Sequence, residues 1–356
     1  MPQTDALTRY VLTLLALVLT VLVLYFGRNL ILLLFVSAIF TFLFLPLARR
    51  MERAGMPRWT GALAATAILV LAVLGLFFFM GWQLSRFAGD LPALQAALTE
   101  KGNGFMQWLE DSVQIRQRDQ IKWFNAQVAG LAGSGGRVAM QVAAGAGSTL
   151  GSIVPIPIFV FLLLLLKHKF RVFLVELGKD RGTDALGMVV RISELSRSYL
   201  RGVLLVVLIL GTLNSIGFLA LGLPYAVLLG FIMALLNIIP YVGALVGSLI
   251  PVLVAFITKD SFGYVLATMG VCLLSQFLDN NFITPKVVGS SVSINPLASI
   301  VALIAAGLLW GVVGMVVAIP MTGMLKLICE AVPGLRVWGY LLGEEKEFAP
   351  SNGKGG

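Results

Sequence analysis

The stretch LNIIPYVGALVGSLIPVLVAF, residues 236–256, is apolar enough to enter a membrane and yet interrupts itself. Asn237, Pro240, Tyr241, Gly243, Gly247, Ser248 and Pro251 stand where an unbroken span would carry leucine and valine. Each proline removes a backbone donor and clashes with the preceding turn, so the segment bends or unwinds. Unwound backbone in hydrocarbon leaves N–H and C=O groups without partners. It survives only when buried in protein or lining a wet cavity. The break therefore marks a place where freed carbonyls and helix ends can hold an ion or a polar solute.

The segment has an echo. NIIPYVG at 237–243 is matched by NFITPKVVG at 281–289, and SLIP at 248–251 by SINP at 293–296. Paired apolar segments interrupted by proline and glycine are the best sequence pointer to a transporter's binding site. On this reading the solute or ion pathway takes Asn237, Pro240, Tyr241 and Gly243 from the first break. From around the second it takes Gln276, Asp279, Asn280, Asn281, Pro285, Gly289, Asn295 and Pro296.

Composition agrees. Of 356 residues, 58% are hydrophobic and only 12% charged, half the share of an ordinary soluble domain. The chain reads as an all-α polytopic membrane protein of about eight spans, near 10–26, 29–47, 60–82, 143–166, 203–221, 224–257, 263–284 and 295–328. The sixth and eighth are too long for one straight crossing of roughly 20 residues, and each is read as a hairpin or a broken helix. The run Tyr10 to Phe26 lacks a small-residue cleavage pattern and reads as a retained span.

The net charge of +9 comes from Lys and Arg beside the apolar runs, where cytoplasmic anchors belong, so nucleic acid is not an expected partner. Arg49, Arg50, Arg53 and Arg58 follow the second span, and eight further Lys and Arg lie between Lys167 and Arg201. This excess puts both termini in the cytoplasm. The chain then divides into a three-span region (1–82), an extracytoplasmic helical region (83–142), and the fourth span with a cytoplasmic amphipathic helix (143–202). A transport core (203–330) and a cytoplasmic tail (331–356), unstructured after Gly343, complete it. Met188, Ile192, Leu195 and Tyr199 form the stripe of the amphipathic helix, which suits either the lipid interface or packing on the protein itself.

Residues 198–326 resemble the autoinducer-2 exporter family of bacterial permeases, on NIIPYVGALVGSLIPVLVAF and QFLDNNFITPKVVGSSVSINPLASIVALIAAGLLWGVVGMVVAIP. The N-terminal half shares only the family's layout of spans. The resemblance implies a secondary transporter of the inner membrane. Members are linked to export of the quorum-sensing signal autoinducer-2, and some relatives to sodium/proton antiport. Relatives often place histidine before the proline matched by Pro296, where Asn295 stands here.

Asp260 and Asp279 are the only acidic residues between Glu194 and Glu330. Asp260 reads as part of a short cytoplasmic turn. Asp279 beside the second break is either a functional intramembrane carboxylate or a structural partner of Lys286. The single histidine, His168, reads as a solvated flank. Cys272 and Cys329 read as buried hydrophobes. The pairs Gly147/Gly151, Gly243/Gly247 and Gly307/Gly311 let helices approach closely, within the chain or between copies of a homo-oligomer. No phosphate loop, HExxH or Gly-x-Ser-x-Gly occurs, so the sequence points to no enzyme, metal or cofactor. The function read is export of a small polar solute, coupled to an ion gradient. The alternatives are a cation/proton antiporter and a non-transporting membrane scaffold.

Overall fold

The computed structural model describes residues 6–113, 154–181, 184–239, 242–288 and 292–344. Pro240, Tyr241, Gly289, the Gly147/Gly151 pair, residues 114–142 and the tail from 345 lie outside the described residues. The described chain is helical: α1 (Ala6–Phe26), α2 (Arg28–Arg53), α3 (Arg58–Val113), α4 (Pro155–Leu165), α5 (Lys167–Arg181), α6 (Ala185–Ala220), α7 (Ala226–Leu236), α8 (Val242–Thr258), α9 (Phe262–Leu278), α10 (Thr284–Val287), α11 (Pro296–Ala331) and α12 (Arg336–Leu342). Six of the described helical stretches are long and apolar enough to cross a membrane, and three apolar helices are shorter. This is a polytopic α-helical membrane protein.

Two of these helices join elements that the sequence separates. α3 runs 56 residues, about 84 Å at 1.5 Å per residue, so the third span continues without a break into the polar segment that follows it. α6 fuses the amphipathic helix to the fifth span. Of its stripe, Tyr199 is buried and Met188, Ile192 and Leu195 are half-buried, with Ser196 beside them fully buried.

The helices form two compact units, Met1–Ala67 with Pro155–Arg201 and Gly289–Gly356, and Ile68–Val154 with Gly202–Val288. In the first unit α2 packs on α4, with the buried Ser37 Oγ 3.5 Å from the Ile156 carbonyl. α2 also meets the start of α3 so closely that a Cβ on Gly61 would lie 3.2 Å from the Ala48 carbonyl oxygen. Lys167 binds Glu52 at 2.6 Å, and the Arg197 guanidinium donates to the Phe42 carbonyl at 3.3 Å.

α11 does not run straight. At Gly311 φ is +65° and ψ −149°, a backbone conformation that side-chain-bearing residues rarely adopt. A Cβ on Gly314 would lie 2.2 Å from the Ala306 carbonyl oxygen, and one on Gly307 2.6 Å from Met315 Cε. Residues eight apart in a helix sit about 12 Å apart, so the chain reverses here and the eighth segment is a hairpin. Its two feet meet again where Val292 and Leu195 close on Gly323. Trp310, beside the reversal, donates to the Leu24 carbonyl at 3.0 Å.

In the second unit, α7 and α8 form another hairpin. The first arm has 11 residues, about 16 Å at 1.5 Å per residue and about half a bilayer core. It packs on α6 through Gly211 against Phe231 and Gly230 against Ser215, and on α8 through Gly247 against Met233. Phe218, Leu223, Ala226, Leu229, Met233, Val254, Ala255 and Cys272 form the core between these helices and α9. Phe87 of α3 stacks edge-on against Tyr225 at 5.4 Å, and the Tyr225 hydroxyl donates to Asp90.

Because the hairpin returns to its starting side, residues 259–261 lie on the side from which it sets out and not across a sixth span. Gly222 approaches Lys259, and Lys101 on the distal part of α3 donates to the Lys259 carbonyl and pairs with Asp260 at 3.4 Å. Asp260 shares a side with residue 101, so the readings of Asp260 as cytoplasmic and of 83–142 as extracytoplasmic do not hold together. In a background with Cys272 and Cys329 replaced by serine, Asp260→Cys should react with an impermeant maleimide from the same face as Glu100→Cys. Arg53→Cys should react from the opposite face. Labelling of position 260 together with position 53 would dismiss the hairpin.

Candidate functional site

The break that interrupts the sixth segment closes its own backbone. The amide of Ile238 donates to Leu235 (3.2 Å), that of Ile239 to Leu236 (3.0 Å) and that of Gly243 to Ile239 (2.9 Å). Tight turning is possible because residue 243 is glycine: a Cβ there would fall 1.7 Å from the Leu236 carbonyl oxygen. Asn237 caps the C-terminus of α7 in helical geometry, so its side chain leaves the helix at the hairpin tip.

That side chain meets Asp279. Asn237 Nδ2 donates to Asp279 Oδ2 at 2.7 Å, and Thr284 Oγ1 donates to Oδ1 at 2.6 Å. Asp279 is only 4% exposed. It opens the π-turn Asp279–Ile283, in which the amide of Thr284 bonds the carbonyl of Asp279. In a plain α-helix, residues five apart point away from each other. The wider i→i+5 turn brings them to one place, and such π-bulges occur often at functional sites. Each carboxylate oxygen receives one neutral donor. An ionised carboxylate has about four acceptor positions, and donors among the described residues take two of them.

The other residues read from the sequence scatter around this pair. Gln276 Nε2 donates to Asn280 Oδ1 at 3.1 Å, and Asn281 Nδ2 donates to the Phe277 carbonyl at 2.8 Å. Asn280, Asn281 and Pro285 are exposed on the surface of α9 and its extension, turned away from Asp279. Asn295 lies in the other compact unit, at the foot of the α11 hairpin. Its Oδ1 accepts from the Ala298 amide (2.7 Å), while Nδ2 donates to the carbonyls of Leu341 (2.6 Å) and Gly343 (3.1 Å). These bonds make it a helix cap that ties down α12, with Pro296 as the first helical residue. Gly243 supports the tip, and Asn237 and Asp279 touch.

Two expectations change. No ion pair joins Lys286 to Asp279 among the described residues, where the pairs are Lys101–Asp260, Lys167–Glu52, Lys179–Glu176 and Lys326–Glu330. Among the described residues the side-chain partners of Asp279 are Asn237 and Thr284. The echoed breaks also differ in form: 237–243 reverses the chain, whereas 281–288 stays helical through the π-turn and α10. Thr284 was not singled out, and its spacing of five from Asp279 explains why. Asn214, buried to 1% exposure in α6 with its Oδ1 unbonded, was also passed over. A lone Asn inside an apolar span is the signal that marks it. The cysteines are free and buried. Among the described residues no group of three or more His, Cys, Asp or Glu is placed to hold a metal.

A family model, that of the AI-2E family transporters, matches residues 14–334. YrrI of Bacillus subtilis, named as a transport protein, is 29% identical over 317 residues, which cover 83% of this chain and 84% of YrrI. YueF of the same organism, also named for transport, is 37% identical over 175 residues, 49% of this chain and 47% of YueF. PerM of Escherichia coli, named as a permease, is 25% identical over 252 residues, 70% of this chain and 67% of PerM. None of these three names states a solute.

If Asn237 and Asp279 act as a pair, Asn237→Ala should lower the thermal stability of the purified protein by about 1–3 kcal/mol, the cost of a buried acceptor losing its donor. In an Asp279→Leu background the same change should cost much less, a coupling of about 0.5–3 kcal/mol. Equal costs in both backgrounds, measured by thermal unfolding in detergent, would show that the contact contributes nothing.

Proposed function

The chain belongs to the AI-2E transporter family, and from that premise we propose that it exports a small polar solute, autoinducer-2 or a similar molecule, by coupling to an ion gradient. It works in the bacterial inner membrane with both termini in the cytoplasm, and the transport core is the segment 203–330. The observation that carries the reading is the buried Asp279 carboxylate, held by Asn237 at the tip of a hairpin and by Thr284 across a π-turn. An ionisable residue inside a membrane protein is expensive and marks an ion or substrate path. Irregular backbone at membrane depth points the same way.

The chemistry follows from the donors. With Asp279 ionised, Asn237 and Thr284 both donate to it, and the hairpin tip is tied to α9. Neutralising the carboxylate with a proton or cation weakens both bonds, since hydrogen bonds to a charged acceptor are about twice as strong as neutral ones. Occupancy of one carboxylate thereby changes how firmly the tip is held. That is the differential contact a coupled transporter needs, because a ligand shifts a conformational equilibrium only by its unequal affinity for the two states.

Proteoliposomes holding the purified protein test this. Labelled autoinducer-2 and labelled sodium are offered in parallel, with and without an imposed pH gradient. Gradient-driven movement of autoinducer-2 should fall at least tenfold in Asp279→Asn, with unchanged expression and monodispersity, leaving only downhill leakage indifferent to pH. Movement of sodium alone would favour cation/proton antiport. Normal gradient-dependent transport by Asp279→Asn would remove Asp279 from the mechanism.

A further inference from the structure

A second polar feature is built in the first compact unit and shares no residue with the Asp279 cluster. A cavity of about 390 Å³ opens between α6, the connector before α11 and the returning arm of α11, within the range of small-molecule sites. Its polar lining is Arg191, Glu194, Ser198, Ser293 and Lys326. Arg191, Glu194 and Ser198 follow helical spacing and so share one face of α6. Lys326 is fixed on α11 by Glu330 at 3.2 Å, with its side chain 16% exposed. The floor is set by Gly323, where a Cβ would lie 2.7 Å from Val292 Cγ1 and 3.2 Å from Leu195 Cδ1, so three chain segments are packed against one another beneath the polar groups.

The donor set selects a ligand. Arg191, Lys326 with its partner Glu330, and the serines Ser198 and Ser293 line one small cavity together with Glu194. Arginine offers a planar fork that matches phosphate oxygens, and lysine adds a point charge. Ionised Glu194 only accepts hydrogen bonds. It opposes a bare inorganic anion and favours a ligand that also presents hydroxyl hydrogens. We propose that this cavity binds an organic phosphate bearing hydroxyl groups, with the phosphate on Arg191 and Lys326 and a hydroxyl on Glu194. A soluble metabolite and a glycerol-type lipid headgroup share that chemistry.

The test is calorimetric titration of the purified full-length protein in a neutral detergent with glycerol 3-phosphate and, separately, inorganic phosphate. Glycerol 3-phosphate should bind more tightly than inorganic phosphate, and its affinity should fall at least tenfold in Arg191→Gln and in Lys326→Met. Glu194→Gln supplies a change of opposite sign: inorganic phosphate should bind more tightly and the preference for glycerol 3-phosphate should shrink. Repeating the titration in nanodiscs of phosphatidylcholine, with and without phosphatidylglycerol, separates the two sources. Weaker apparent binding with phosphatidylglycerol assigns the site to the headgroup, and equal binding assigns it to a soluble ligand. No binding of either phosphate to the folded wild type overturns the proposal. So does equal binding by the wild type and the Arg191→Gln/Lys326→Met double variant.

Discussion

Backbone that leaves a helix inside a membrane must find its hydrogen-bond partners within the protein, and the C-terminal half of this chain is organised by that demand. Its two long apolar segments turn back on themselves where a straight span would continue. At the first reversal the amides of Ile238, Ile239 and Gly243 each find a carbonyl within the turn itself. At the second, Gly311 takes the left-handed conformation that lets the chain fold over on itself. Buried backbone groups left unpaired would cost several kcal/mol each. Residues that allow such tight closure are therefore a condition of the fold.

Close approach follows from the same condition. A hairpin arm of 11 residues is too short to be held by lipid on all sides, and α7 is accordingly the most enclosed helix of its unit, with Leu228, Leu229, Met233 and Ala234 buried. The enclosure is achieved with glycine. Gly211, Gly230 and Gly247 stand where Phe231, Ser215 and Met233 come near enough to touch a Cβ. Without a hydrophobic driving force between helices in lipid, packing of this kind is a principal source of association. The tip is thereby brought to α9, and Asn237 to Asp279.

Much of this was legible in the sequence, and the limits have physical causes. Pro240 and Gly243 announced the break between α7 and α8, whereas Pro251 lies inside α8 without ending it. The lengths of the sixth and eighth segments excluded straight crossings. The choice between hairpin and broken helix depended on tertiary neighbours, so the side of the membrane that Asp260 faces could not be read from charge alone. The echo at 281–289 misled in form: similar residues reverse the chain at 243 and only widen a helical turn at 279–283, where Pro285, without an N–H, sits in a continuous helical stretch. Asp279 was visible as an intramembrane carboxylate. Thr284 was not, since its contact exists only across an i→i+5 turn.

The partners of Asp279 also bear on what it can do. A lysine at this place would have neutralised the carboxylate permanently, and separating such a pair costs about 3–5 kcal/mol when buried. Asn237 and Thr284 are neutral donors, so they orient the carboxylate without pairing it with a positive charge. An uncompensated charge among apolar helices is costly, and the means of removing it at this position are a proton, a cation, or movement of the group toward water. On the proposed reading each means is a step of a transport cycle. In that proposed cycle an ion would compete with Asn237 and Thr284 for the carboxylate. The same two bonds that hold the fold at this point are the ones an ion would have to compete with.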